Sequence, residues 1–294
     1  MADAPEKTAL PLSRETEWRI YEAITEYELL PFAEKHQLTH AHFLLKSNKG
    51  YTPLHWAARY GCLNQVASIL EDTDHPLSSK DLSLRDSAGD TLYYWVAMFG
   101  HFDQAAAILN QDGETLSLHH LLTHGSRGRT PLHQAAEEGH LDQIASLLSP
   151  GQKLTPEHLL LPDGDGWTSL HAMASNGHLG QAVAILGPQL TAQHFLTAND
   201  AGRSVLSTAT HAGNLEQIFQ PGLWQGRIPE MLQLWEQVPE ESRSQIDFGQ
   251  IADETLHRSL PSLPRLERGV FHAAARASLP GVEAALPPQK TKGR

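Results

Sequence analysis

GYTPLHWAARYG, residues 50–61, opens on Gly-x-Thr and closes on a second Gly eleven positions later. The frame returns as GDTLYYWVAMFG from Gly89, GRTPLHQAAEEG from Gly128, GWTSLHAMASNG from Gly166 and GRSVLSTATHAG from Gly202. The spacings are 39, 39, 38 and 36 residues. A Gln stands at one offset past each closing Gly, as Gln65, Gln104, Gln143, Gln181 and Gln217. A Leu stands twelve residues before each opening Gly, as Leu38, Leu77, Leu116, Leu154 and Leu190. Such a period marks a repeat array.

The unit reads as two short helices. Thr52, Thr91, Thr130, Thr168 and Ser204 stand where a hydroxyl caps a helix by accepting from an unpaired backbone N–H. Pro53 and Pro131 follow at the first helical position, where no donor is needed. Ala57 and Ala58, Ala135 and Ala136, Ala174 and Ala209 are small enough for close packing against a neighbour. Gly61 and its equivalents permit the left-handed turn that ends the helix. Leu63, Val66, Ile69 and Leu70, like Leu141, Ile144, Leu147 and Leu148, then recur at helical spacing. Two helices with one apolar face cannot hide it alone, so the copies must stack. The expected fold class is all-α.

Thr52-Pro53-Leu54-His55 and Thr130-Pro131-Leu132-His133, each followed by Ala-Ala, Gly and Leu, resemble the ankyrin repeat. Thr168-Ser169-Leu170-His171 is a near match, while the copies with Tyr93-Tyr94 and Val205-Leu206-Ser207 lack the motif His. The resemblance covers about residues 38 to 220. It implies an ankyrin-type helical solenoid of five repeats that binds a partner protein on its concave face and carries no chemistry of its own. The period exceeds the roughly 33 residues usual for that family. The excess lies in LTHAHFL, LSSKDLS, LSLHHLL, LTPEHLL and LTAQHFL, where an extra helical turn is expected. Such extended units are similar to those of ankyrin effectors that intracellular bacteria deliver into host cells.

Composition narrows the function. The net charge of −12 argues against a nucleic-acid partner, which would call for a basic face, and one cysteine excludes a disulfide framework. No apolar run approaches the roughly 18 residues of a membrane span. The opening MADAPEKTALPLSRETEW lacks a secretory h-region, so a cytoplasmic protein is expected, with delivery into a host cell as the extension the effector resemblance suggests. A monomer, no cofactor and no metal are expected.

The 18 His need an explanation. Ten are locked to the repeat: His55, His133 and His171 in the motif, His101, His140 and His178 after the turn Gly, and His42, His120, His158 and His194 in the extra segment. Geometry, not catalysis, accounts for them; a metal gathered by His119, His120 and His124 is the weaker reading. Full protonation would carry the formal charge to +6, which raises pH switching as an idea. Cys62 reads as a structural thiol and Glu137-Glu138 and Glu240-Glu241 as solvated. The LPDGDG loop lacks the downstream Glu of an EF-hand, and HExxH and phosphate-loop motifs are absent.

Residues 1–37 are expected to cap the array, with one helix over 13–36 burying Trp18, Ile20, Tyr21, Ile24, Tyr27 and Leu30. Residues 38–220 form the array and 221–286 a helical region, in which RIPEMLQLWEQVPEE offers an amphipathic helix and 270–286 a degraded repeat. Residues 287–294 form a disordered tail. A small activity in 221–294, with the repeats as targeting arm, is the alternative function. Partner contacts are expected where copies differ. These are Tyr51, Asp90, Arg129, Trp167 and Arg203 after the opening Gly. After the Ala-Ala pair they are Arg59 and Tyr60, Met98 and Phe99, Glu137 and Glu138, Ser175 and Asn176, and His211 with Ala212.

Overall fold

The computed structural model describes residues 8–220 and 222–246, with sixteen α-helices among them. Among the described residues a two-residue parallel pairing, Thr8–Ala9 (β1) with His36–Gln37 (β2), and four isolated bridges stand beside the helices of the expected all-α fold. Ser13 caps α1 (Arg14–Thr25), its hydroxyl accepting from Thr16 N–H at 3.2 Å. The chain then breaks at Tyr27, φ 60°, and restarts as α2 (Leu29–Lys35). This corrects the single helix expected over 13–36, and Pro31 is the reason. Inside a continuous helix its ring would strike the carbonyl four residues back, whereas in a first turn it costs nothing. Ile20 and Ile24 are fully buried, but Trp18 is 56% exposed, Tyr27 69% and Leu30 44%, against the expectation of burial.

The repeats follow in register. The first holds α3 (His40–Phe43), α4 (Pro53–Tyr60) and α5 (Leu63–Leu70). The second replaces the extra turn by a 3₁₀ turn, Asp81–Ser83, before α6 (Leu92–Phe99) and α7 (Phe102–Gln111). The third holds α8 (Leu118–Leu121), α9 (Pro131–Glu138) and α10 (Leu141–Leu147), and the fourth α11 (Pro156–Leu159), α12 (Ser169–Asn176) and α13 (Leu179–Leu186). The fifth has α14 (Ala192–Leu196) and α15 (Val205–Ala212), but its second helix is only a 3₁₀ turn, Leu215–Gln217. The extra helical turn read from the sequence is thus present. The five Leu twelve residues before each opening Gly are all buried, each about 1.5–3 kcal/mol of apolar transfer.

Histidine caps explain the His excess. In Thr39–His42, Thr52–His55, Ser117–His120, Thr130–His133, Thr155–His158, Thr168–His171 and Thr191–His194 the imidazole sits at the third helical position. There its Nδ1 accepts from the cap residue's own N–H at 3.0–3.4 Å. An N–H only donates, so each Nδ1 is unprotonated, and His takes the place of the Glu or Gln of an ordinary capping box. In the second repeat Asp81 does the same work, accepting from Ser78 N–H and Oγ–H at 2.9 Å each.

Side chains reaching one repeat back fix the stacking. Gln104 Nε2 donates to Gly61 O at 2.8 Å while its Oε1 accepts from Asn64 N–H at 3.4 Å. Gln217 repeats the device on Gly177 O at 2.8 Å and Gly180 N–H at 3.0 Å. At these two positions the recurring Gln is a clasp between copies. The His101 ring lies so close over Gly61 that an added Cβ would stand 2.8 Å from its Cε1, and His140 covers Gly100 at the same distance.

The chain divides into two compact units, residues 1–173 and 174–294, the division falling inside α12. In the second, α16 (Ile228–Glu236) is the amphipathic helix expected there, burying Ile228, Met231, Leu234 and Trp235. Trp224 is fully buried and donates from Nε1 to Ile218 O at 2.7 Å. The degraded repeat over 270–286 and the tail over 287–294 lie outside the described residues, as does most of the segment given the alternative activity.

Candidate functional site

Each hairpin loop is shaped by one acceptor side chain. Asp86 Oδ1 accepts from Ala88 and Asp90 N–H, Asp163 Oδ1 from Asp165 and Trp167 N–H, and Asn199 Oδ1 from Ala201 and Arg203 N–H, at 2.8–3.1 Å. This is Asx-turn chemistry, and it occupies the Asp163 of LPDGDG. In the third loop that position is Gly125, with no side chain to offer, so Asp90 reaches across and accepts from Ser126 N–H at 2.6 Å. Asp90 is 9% exposed, and burial pushes its carboxyl up. One of its oxygens is thus already committed to the next hairpin loop.

Above these loops the first unit carries a wall of rings. Trp18 and Tyr21 of α1 stand 5.0 Å apart, and Tyr21 is 4.7 Å from Trp56 of α4. Tyr51 meets Trp56 and Trp95 of α6 edge-on at 5.7 and 5.2 Å. Trp95 continues to Phe99 at 6.3 Å and is anchored below, its Nε1 donating to Asp86 Oδ2 at 3.1 Å. Arg59, exposed on α4, lays its guanidinium over Phe99 at 5.0 Å and over Trp56 and Tyr60 at 5.8 Å each. Tyr51, Arg59, Tyr60 and Phe99 are thus brought together.

Trp18, Tyr21, Trp56 and Trp95 were missing from the expected contacts. The position after the motif His reads Trp56, Trp95, Gln134, Ala172 and Thr208, and two consecutive Trp in a slot small residues can fill were the available signal.

Further along, the face turns polar. Tyr94 O–H donates to Gln134 Oε1 at 2.6 Å, and Gln134 Nε2 donates to Glu138 at 3.0 Å; burial pushes the Tyr94 phenol up to about 12. Arg129 is half-buried, bonded to Glu137 and 3.9 Å from Asp163, so its charge is already spent within the fold. Met98 is half-buried, as is Trp167, which lies 5.3 Å from the His171 ring. Ser175, Asn176, Arg203 and His211, all exposed, belong to the second unit.

The groups weighed for chemistry have structural roles. Cys62 is buried, its thiol pushed up by burial. His120 is capped by Ser117 and stacked on Tyr93 at 4.8 Å, while His124 Nδ1 bonds Gly128 O at 3.0 Å. Among the described residues no three His, Cys, Asp or Glu gather in a metal-binding group, and no helix is long and apolar enough to cross a membrane. Tyr93 itself is 2% exposed, and its hydroxyl has no partner among the described residues. Tyr93→Phe is expected to leave stability unchanged or raise it by up to about 1 kcal/mol, because an unsatisfied buried hydroxyl is removed. A thermal melt lowered by several degrees would show that the hydroxyl is needed.

Residues 49–81 match the family described as Ankyrin repeat, and residues 132–186 the one described as Ankyrin repeats (many copies). The second and fifth copies, which lack the motif His, fall outside both matches. No curated protein matches the sequence.

Proposed function

We propose that this ankyrin-repeat protein is a scaffold that holds a partner protein on the aromatic wall of its first unit. Ankyrin repeats generally mediate protein–protein interaction and are typically non-catalytic. The observation that carries the reading is the contact of Arg59 with Trp56, Tyr60 and Phe99 across two successive repeats. Trp, Tyr and Arg in one cluster are the side chains that dominate binding energy at interfaces. Trp167, Met98, Glu137 and Glu138 extend the proposed surface; Ser175, Asn176, Arg203 and His211 are proposed as contacts of the second unit by itself.

Tyr51→Ala and Phe99→Ala are each expected to weaken partner binding by about 1–3 kcal/mol while the helical signal and melting cooperativity persist. Titration of the purified partner measures this. Unchanged affinity in the double variant counts against the wall as the contact. The 36–39-residue period supports the further reading of an effector acting inside a host cell. Translocation of a reporter fusion from a bacterial donor tests that part by itself.

A further inference from the structure

We propose that the cleft between α1 and the first hairpin loop receives an acidic peptide segment of the partner, anchored by one large apolar side chain. The proposal rests on the protein-binding reading above and gives the partner a chemistry. The cleft holds about 410 Å³; Trp18, Tyr21, Tyr51 and Trp56 line it together with Arg14 and Lys49.

Three observations converge on it. Of the five large hydrophobic side chains exposed among the described residues, four, Leu12, Trp18, Tyr27 and Leu30, lie within residues 12–30, and Trp18 of these lines the cleft. The terminal unit of a solenoid ordinarily turns a polar face outward, and apolar exposure concentrated there marks a contact surface. Second, the cleft is cationic in a chain of net charge −12. Arg14 and Lys49 are exposed on its rim, Arg59 lies on the next turn from Trp56, and none of the three is in an ion pair among the described residues. The single carboxylate in the lining, Glu17, is 7% exposed, and burial pushes its carboxyl up. Third, the acidic groups Glu137 and Glu138 lie on α9, away from the cleft lining. A ligand entering at α1 therefore meets ring faces and positive charge, the complement of a segment with Asp or Glu flanking a Phe, Trp or Leu.

Selection of random twelve-residue peptides against the full-length protein tests this. The recovered sequences are expected to carry Asp and Glu around a large apolar residue. Synthetic copies should shift tryptophan emission to the blue, as Trp18 loses solvent, and bind less tightly as salt rises. Their affinity should fall tenfold or more in Arg14→Glu with Lys49→Glu, and again in Trp18→Ala. The two charge reversals are on exposed side chains, and an unchanged thermal melt confirms an intact fold.

Recovery of neutral or basic sequences, of no peptide, or of acidic peptides indifferent to the charge reversal overturns the proposal. So does self-association of the protein abolished by the same reversal, which would make a second copy the occupant. In each case the broader reading stands or falls separately, on whether Phe99→Ala, outside the cleft lining, weakens binding of the partner protein.

Discussion

Gly100→Ala is expected to lower the stability of the array by about 3 kcal/mol, far more than one methyl group suggests. Gly100 holds φ 74°, where a non-Gly residue costs about 1–2 kcal/mol. The remainder comes from the next repeat. The new Cβ would stand 2.8 Å from His140 Cε1 and 2.9 Å from Nε2, so either the ring or the repeat carrying it must move. Denaturant titration measures the loss, and a double-mutant cycle separates its two parts. With His140→Ala as background, the same Gly100→Ala change should cost only the backbone part. An equal cost in both backgrounds would mean that the ring exerts no pressure there. Gly61, under His101 at the same 2.8 Å, should behave alike.

Acid is expected to weaken the fold well before its carboxylates protonate. His55 is fully buried, and burial holds its imidazole at about 4, with Asp86 working against that shift and Lys46 with it. The unfolded chain takes up that proton near 6.5, the folded chain only near 4. The stability linked to His55 is therefore complete above pH 6.5, declines as the pH falls through the interval, and is gone below about 4. The loss is roughly 3 kcal/mol for this one group. His133 and His120 are lowered too, chiefly by burial, and add in the same direction.

The cap geometry supplies the physical reason. A protonated ring would set its own N–H against the N–H of Thr52, 3.1 Å away. Chemical denaturation at pH 7.5, 6.0 and 4.5 should show the decline, and His55→Asn should be less stable at pH 7.5 but flatter across the series. A flat wild-type profile from 7.5 to 4.5 would remove the argument. The proposed charge swing from −12 to +6 thus meets an obstacle, since the buried caps take up protons at a cost in folding.

Much of this was legible beforehand because repetition exposes it. Five coincident Gly, Leu and Gln positions reveal the frame, and Thr followed by Pro reveals where each helix starts. A bond from the motif His to the backbone of the adjacent hairpin loop could be foreseen and is present from His133 Nε2 to Leu161 O at 2.9 Å. The clasp made by Gln104 and the Nδ1 caps made by His could be located but not explained. The site was harder. Asp90 looked variable and therefore free, but it compensates for the missing side chain at Gly125 in the following loop. Arg129 looked like an anchor and is already neutralised by Glu137. Trp56 and Trp95 occupied a slot outside the positions expected to make contacts, and Trp18 was assigned to a core that Pro31 rearranges by splitting the helix. The Asp90 contact joins residues 36 positions apart, which a reading along the chain does not pair.

The clasp from Gln104 to Gly61, and from Gln217 to Gly177, runs in one direction only. Each of these two turns is closed by the copy that comes after it. Trimming the protein from its carboxyl end would leave the last surviving turn with a bare carbonyl and an unmatched amide. Trimming from the amino end would leave both of these turns sealed for as long as the following copy remains. The closing bonds of both turns therefore depend on the copy that follows, and removing that copy should loosen the turn before it.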